Sequence, residues 1–189
     1  MARTINTKRS IILIAHNIRS THNVGSLFRT AEGLGVNELI LSGYTPYPKT
    51  SNESRLPHLA DKLDKQISKT ALGAQNSLKW QRIEDLAQVV EELKYKDYTI
   101  VGLEQDKKSI DILEYSAPNK IALIIGNEVT GLQASELKLC DDIIEITMRG
   151  KKESFNVVQA SAMAMFQMAN YSTQTKTSHQ EDRLHHPQD

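Results

Sequence analysis

Ile121-Ala122-Leu123-Ile124-Ile125-Gly126-Asn127-Glu128-Val129-Thr130-Gly131 is the stretch whose reading decides the fold. An unbroken apolar run stopped by glycine has the pattern of a buried strand that ends in a tight loop. A second apolar run follows at Ile143-Ile144-Glu145-Ile146. Beyond it lie a charged loop, Arg149-Gly150-Lys151-Lys152-Glu153, and then Ser154-Phe155-Asn156 at the mouth of a long Ala/Met-rich segment. Two strand ends and two loops so close in sequence mark a candidate ligand site.

Working outward, Ile11-Ile12-Leu13-Ile14-Ala15 reads as another buried strand. After the polar turn His16 to His22, Asn23 is expected to cap a helix in which Val24, Leu27, Phe28, Ala31 and Leu34 recur at helical spacing. Gly33 and Gly35 are placed to end it. Glu38-Leu39-Ile40-Leu41-Ser42 is the next strand, which completes a strand-helix-strand unit of the kind that builds parallel sheets. At about 100° per residue, Arg29 falls opposite the apolar stripe, beside Gly25, Ser26 and Gly33. Spacing alone makes it a solvated arginine within reach of Glu32.

Pro46, Pro48 and Pro57 punctuate a long loop between Tyr44 and Trp80, with a helix from Pro57 to Lys69 that turns Leu59, Leu63 and Ile67 inward. An excursion of this length is often functional. A helix near Ile83 to Tyr95 presents Leu86, Val89, Val90 and Leu93 on one face. Tyr98 to Leu103 is a strand, and Ala134 to Leu139 a short helix. The last helix, Phe155 to Tyr171, is apolar over most of its circumference and calls for burial on more than one side, hence for a partner subunit.

The composition fits a single soluble globular domain: 189 residues, 39% apolar and 24% charged. No apolar run approaches the roughly 18 residues of a membrane span, and Met1 to Ser10 lacks the core of a signal peptide, so the expected location is cytoplasmic. A lone cysteine, Cys140, excludes an internal disulfide and a cysteine zinc cluster, and reads as a small buried hydrophobe. Lys+Arg and Asp+Glu balance at 23 each, so nucleic-acid binding would rest on local clusters such as Arg3/Lys8/Arg9/Arg19 and Arg149/Lys151/Lys152. The expected domain covers residues 1–171. From Ser172 the chain is polar and aperiodic, with the composition of a disordered tail. No metal site is expected; His179, His185 and His186 read as part of that tail.

Three motifs carry a family resemblance. Asn17 through Gly35 resembles the first motif of the SpoU/TrmH branch of the SPOUT RNA methyltransferases, Gly126 to Gly131 its second, and Ile146-Thr147-Met148 through Ser154-Phe155-Asn156-Val157 its third. They stand in the family's order and spacing. The resemblance implies an α/β fold with a mostly parallel sheet flanked by helices and a C-terminal deep trefoil knot, an exception to the usual topology rules. It implies S-adenosylmethionine as methyl donor and a homodimer with the active site at the subunit interface. Cofactor contacts would be Gly126, Ile146 and Phe155, with Leu103, Glu104 and Met148 bordering them. The family usually has leucine where this chain has Phe155. Arg29 would be the residue closest to catalysis, surrounded by Asn23, Glu128, Ser154 and Asn156. Arg19, Lys151 and Lys152 would meet RNA.

The chemistry so implied is activation of a ribose 2′-hydroxyl in tRNA or rRNA. A guanidinium stays protonated in proteins, so Arg29 reads as a charged clamp on the target phosphate and on the oxygen where charge develops. Other readings are a binding module without turnover and a base-methylating relative. A nicotinamide-dependent Rossmann enzyme lacks support, because no G-x-G-x-x-G follows the first strand.

Overall fold

The computed structural model describes residues 9–170. The N-terminal Arg3 and Lys8 and the polar tail expected from Ser172 lie outside them. The described chain runs β1 (Ser10–His16), α1 (Thr21–Gly33), β2 (Glu38–Ser42), α2 (Pro57–Ala71), α3 (Ala74–Ser77), β3 (Trp80–Arg82), α4 (Leu86–Tyr95), β4 (Thr99–Leu103), β5 (Ile110–Asp111), β6 (Lys120–Ile125), α5 (Ala134–Leu137), β7 (Asp142–Glu145) and α6 (Val157–Asn170). Seven strands form one sheet in the order β3-β2-β1-β6-β4-β7-β5, and every pairing is parallel.

The apolar runs quoted above are the middle of that sheet. β1 and β6 lie side by side with Ile11 opposite Ile121 and Ala15 opposite Ile125. Because successive side chains point to opposite faces, each run feeds two cores. Leu13, Ala15, Leu39, Leu41, Leu123 and Ile125 pack with Leu27, Phe28, Ile67 and Met165 from the helices of one face. Ile12, Ile14, Ile40, Ala122 and Ile124 pack with Leu86, Val89, Val90 and Leu93 of α4 on the other. Each fully buried Ile, Leu or Val contributes about 1.5–3 kcal/mol relative to exposure.

Several boundaries differ from the sequence reading for identifiable reasons. Ser20, not Asn23, caps α1: its side chain accepts from the Asn23 backbone N–H, while the Asn23 amide is engaged elsewhere. In α2 the buried positions are Ala60, Ile67 and Ala71, and Leu59 points to solvent. The reason is close approach of α1. Gly25 sits directly against the backbone and Thr70 side chain of α2, so a Cβ there would collide with the Ile67 carbonyl oxygen. A tight helix pair selects small residues, which a count of large apolar side chains overlooks. The short edge strands β3 and β5 carry too few residues for any period to show. Trp80 of β3 is anchored edge-on against Phe28, centroids 5.8 Å apart.

Gly25→Val is expected to force α1 and α2 apart and cost about 1–3 kcal/mol, the usual range for overpacking. The midpoint of urea unfolding reads this directly, and an unchanged midpoint would show that the helices yield freely.

Candidate active site

β4, β6 and β7 end on the same side of the sheet, and their carboxyl ends form a hollow of about 230 Å³ with the first turns of α6. Leu103 and Glu104 line it from β4, Ile125 and Gly126 from β6, Glu145 and Ile146 from β7, and Val157 and Ala160 from α6. Crevices beyond the carboxyl ends of parallel strands are where open α/β sheets receive ligands.

The wall of the hollow is the loop Gly126 to Gly131. It folds back sharply enough that a Cβ on Gly126 would lie 2.5 Å from the Gly131 carbonyl carbon. Glycine is required there for space and at Gly131 for its positive φ of 61°. Asn127 organises the turn: its Oδ1 accepts from the N–H groups of Val129 (2.8 Å) and Thr130 (3.0 Å), in the manner of an Asx turn. Its Nδ2 donates outward to the Asn17 carbonyl (3.0 Å) and the Tyr44 hydroxyl (2.7 Å). Glu104 closes the far side, accepting from the Leu132 N–H at 2.8 Å. Gln105 ties this end to the following loop through the Glu153 carbonyl at 2.8 Å.

Glu128 reaches the other way. Its carboxylate accepts from the backbone N–H of Arg19 (2.9 Å) and Ser20 (3.0 Å) and from the Asn23 side-chain amide (2.8 Å). Partial burial opposes its ionisation, but these three donors outweigh that and hold its pKa below the usual carboxylate value.

The residues singled out in the sequence divide into groups. Gly126, Glu128, Ile146, Ser154, Phe155 and Leu103 are brought together around the hollow. Phe155 is 39% exposed at its rim. Asn23 joins through Glu128. Asn156 instead caps α6, its Oδ1 accepting from the Val158 N–H at 2.9 Å. Met148 does not line the hollow, and Lys151 and Lys152 are exposed on the loop that precedes α6. Arg29 lies elsewhere in the protomer. It borders an open depression of about 840 Å³ with Ser26, Lys69, Met163 and Phe166, and it does not pair with Glu32. Cys140 is half-buried, and burial pushes its thiol up to about 11, as suits an inert packing residue. The sequence reading under-weighted Asn127, Glu104 and Glu145. Their position at a strand end was the one available signal.

The hollow has a definite electrostatic character. Glu104, Glu128 and Glu145 are among its lining residues, the Glu128 carboxylate itself being turned toward the start of α1, and among the described residues no lysine, arginine or histidine lines it. It therefore favours a cationic ligand and disfavours a pyrophosphate.

A carboxylate held below its ordinary pKa contributes stability that is complete above that value and is lost as pH falls through the depressed one. Wild type should thus exceed Glu128→Gln in stability by a constant margin near neutrality, and the margin should shrink below about pH 4.5, the unperturbed value. Chemical denaturation of both proteins across pH checks this; a margin that widens in acid would contradict the assignment.

The sequence and the fold have relatives among known proteins. The chain is 30% identical over 161 residues to a Staphylococcus saprophyticus protein described as a TrmH family tRNA/rRNA methyltransferase, covering 85% of this chain and 59% of that one. It is 26% identical to the 23S rRNA (guanosine-2′-O-)-methyltransferase RlmB of Acinetobacter baylyi, covering 86% and 60%. The chain thus spans about three fifths of the length of these curated relatives. Among solved structures, the SpoU methyltransferase AviRb of Streptomyces viridochromogenes in complex with AdoMet superposes with a TM-score of 0.72 at 22% identity, over 87% of this chain and 61% of that one. The A. aeolicus TrmH/SpoU tRNA modifying enzyme gives 0.69 at 20% identity, over 86% and 75%. The model of the SpoU rRNA methylase family matches residues 10–166, a span that holds all three sequence motifs and the whole of the hollow, and the chain belongs to that family.

Proposed function

We propose that the protein transfers a methyl group from S-adenosylmethionine to a ribose 2′-hydroxyl of tRNA or rRNA. The observation that carries this reading is the carboxylate-lined hollow beyond β4, β6 and β7, free of cationic side chains among the described residues. A sulfonium cation suits that field; the pyrophosphate of a dinucleotide does not. At about 230 Å³ the hollow lies just under the roughly 300 Å³ of most ligand pockets, so it suits a compact, bent ligand. Gly126 would let backbone approach that ligand closely, with Leu103, Ile146 and Phe155 as its apolar walls. When bound, S-adenosylmethionine supplies an electrophilic methyl group. The knotted threading of the C-terminal part belongs to the same proposal, as does work in the cytoplasm, where tRNA and rRNA are found. No helix among the described residues is long and apolar enough to cross a membrane.

The protein's own task is to present the acceptor. Arg29, exposed on α1, would hold the target phosphate by its planar fork and stabilise charge developing on the 2′-oxygen. In-line placement supplies much of the remaining rate. Ser154, at the edge of the hollow, would help orient the acceptor. Within one protomer Arg29 borders a different depression from the hollow. A homodimer would resolve this, with Arg29 of one subunit serving the hollow of the other. Two outward apolar residues of α6, Phe166 (58% exposed) and Met163 (38%), flank the Arg29 depression and support a subunit contact there.

Arg29→Ala should lower methyl transfer to unmodified RNA by about 100-fold or more, the scale of losing a charge-stabilising donor. Arg29→Lys should recover little, because it lacks the bidentate fork. Near-wild-type turnover in both variants, with the dimer intact, would remove Arg29 from catalysis. Mass spectrometry of the nuclease-digested product should find the methyl on ribose; a methyl on the base would overturn the reaction type. If the site is shared, mixing inactive Arg29→Ala with inactive Gly126→Val chains should restore activity in the mixed dimers. Failure of mixed dimers to recover would place Arg29 and the hollow in the same subunit.

A further inference from the structure

We infer that the cavity on the opposite side of the Gly126–Gly131 loop is a second binding site, for one nucleotide of the single RNA strand that flanks the methylated position. The cavity, of about 510 Å³, lies between the β1–α1 turn, the end of β2 and the segment leading into α2. Arg19, Arg55 and Arg82 line it together with Tyr44 and Tyr47, and among the described residues no acidic side chain does. Its sign is the reverse of the hollow beside it.

The three arginines differ in what they leave available. Arg55 is engaged within the protein: it pairs with Glu53 (2.5 Å), donates to the Tyr47 and Pro48 carbonyls (3.0 and 3.1 Å) and lies 3.7 Å over the Tyr47 ring. Arg82 lies 5.6 Å from the same ring and donates Nη2 to the Gly43 carbonyl. Its Nε and Nη1 are buried without hydrogen-bond partners, and the carboxylate facing it, Glu84, is exposed and 4.0 Å away. A cation so placed is poorly compensated, and an anion in the adjoining cavity would offset its desolvation. Arg19 is exposed and its guanidinium makes no bond among the described residues; only its backbone N–H is used, by Glu128. Arg19 can therefore close on a phosphate directly while Arg82 supplies field from behind the wall.

Tyr44 provides the other half of a nucleotide's chemistry. It is 60% exposed, yet its hydroxyl is fixed by the Asn127 amide at 2.7 Å, so its ring stands as a pre-set platform for a base. Cationic groups beside an exposed aromatic face are the means by which proteins grip single-stranded RNA. Two contacts between the linings set the register. Asn127 bonds to Tyr44 and Glu128 to the Arg19 backbone, so a nucleotide seated here lies next to one presented at the hollow.

This inference rests on the RNA-methylating reading, and its test keeps the two apart. Binding of a fluorescent single-stranded RNA of about ten nucleotides is measured by anisotropy across salt, with S-adenosylmethionine binding measured by calorimetry on the same proteins. Arg19→Ala should weaken RNA binding several-fold and lower the slope of log affinity on log salt by about 0.7, one single-strand phosphate contact. Tyr44→Leu should weaken it roughly fivefold to hundredfold, the range for a lost base stack, while Tyr44→Phe keeps the ring and most of the affinity. Unchanged RNA affinity and salt slope in folded Arg19→Ala and Tyr44→Leu would overturn the site. So would loss of uridine monophosphate binding alone with RNA binding intact, which would make it a pocket for free nucleotide. Absence of S-adenosylmethionine binding in the wild type would overturn the methyltransferase reading instead, and the RNA measurements would stand apart from it.

Discussion

The carboxylate of Glu128 is the tie on which the site depends. It joins the turn before α1 to the loop after β6, two segments more than a hundred residues apart, through two backbone donors and the Asn23 amide. Hydrogen bonds to a charged group contribute about 1.5–3 kcal/mol each at most, so three of them matter against a total stability of about 5–15 kcal/mol. The partnership has a second electrostatic logic. The first turn of α1 carries no acidic residue of its own, and a helix N-terminus favours negative charge. Glu128 supplies that charge from the loop after β6 and fixes where α1, which carries Arg29, begins.

The loop held by that tie separates regions of opposite potential. On one side are Glu104 and Glu145, on the other Arg19, Arg55 and Arg82, with the Glu128 carboxylate turned toward the second side. The proposed reaction between a cationic methyl donor and a polyanionic acceptor benefits from such a division, because each partner is drawn to its own side of the loop.

Much of this was legible in the residues, and what was missed has a physical cause. The buried runs of β1, β2, β4 and β6 and the face of α4 declare themselves because a periodic apolar stripe is hard to keep in a chain unless one face of the element is buried. The motif resemblance gathered Gly126, Glu128, Ile146, Ser154 and Phe155 at one hollow, as the structure has them. The same resemblance implied a place for Glu128 around the catalytic arginine, and in the structure its carboxylate holds the Arg19 and Ser20 backbone and the Asn23 amide. The cap of α1 was misplaced by three residues because Ser20 and Asn23 are both good caps, and only the distant Glu128 decides between them. The cavity around Tyr44 was signalled only coarsely, by the length of the Tyr44–Trp80 excursion and by Arg19. Its arginines come from three separate segments, and whether each is free or paired depends on contacts that no local pattern encodes.

The position of β6 has a consequence for how the chain is made. β6 is inserted between β1 and β4, so β1 cannot complete its pairing until residues 120–125 have left the ribosome. Until then the strand Ile11 to Ala15 has β2 on one side and an open, strongly apolar edge on the other. Pairings this distant in sequence are slow to form, and an unpaired edge invites association with other chains. An interior strand of the finished sheet, β1, is therefore the nascent chain's point of greatest exposure, and the interval before β6 arrives is when a chaperone would matter most.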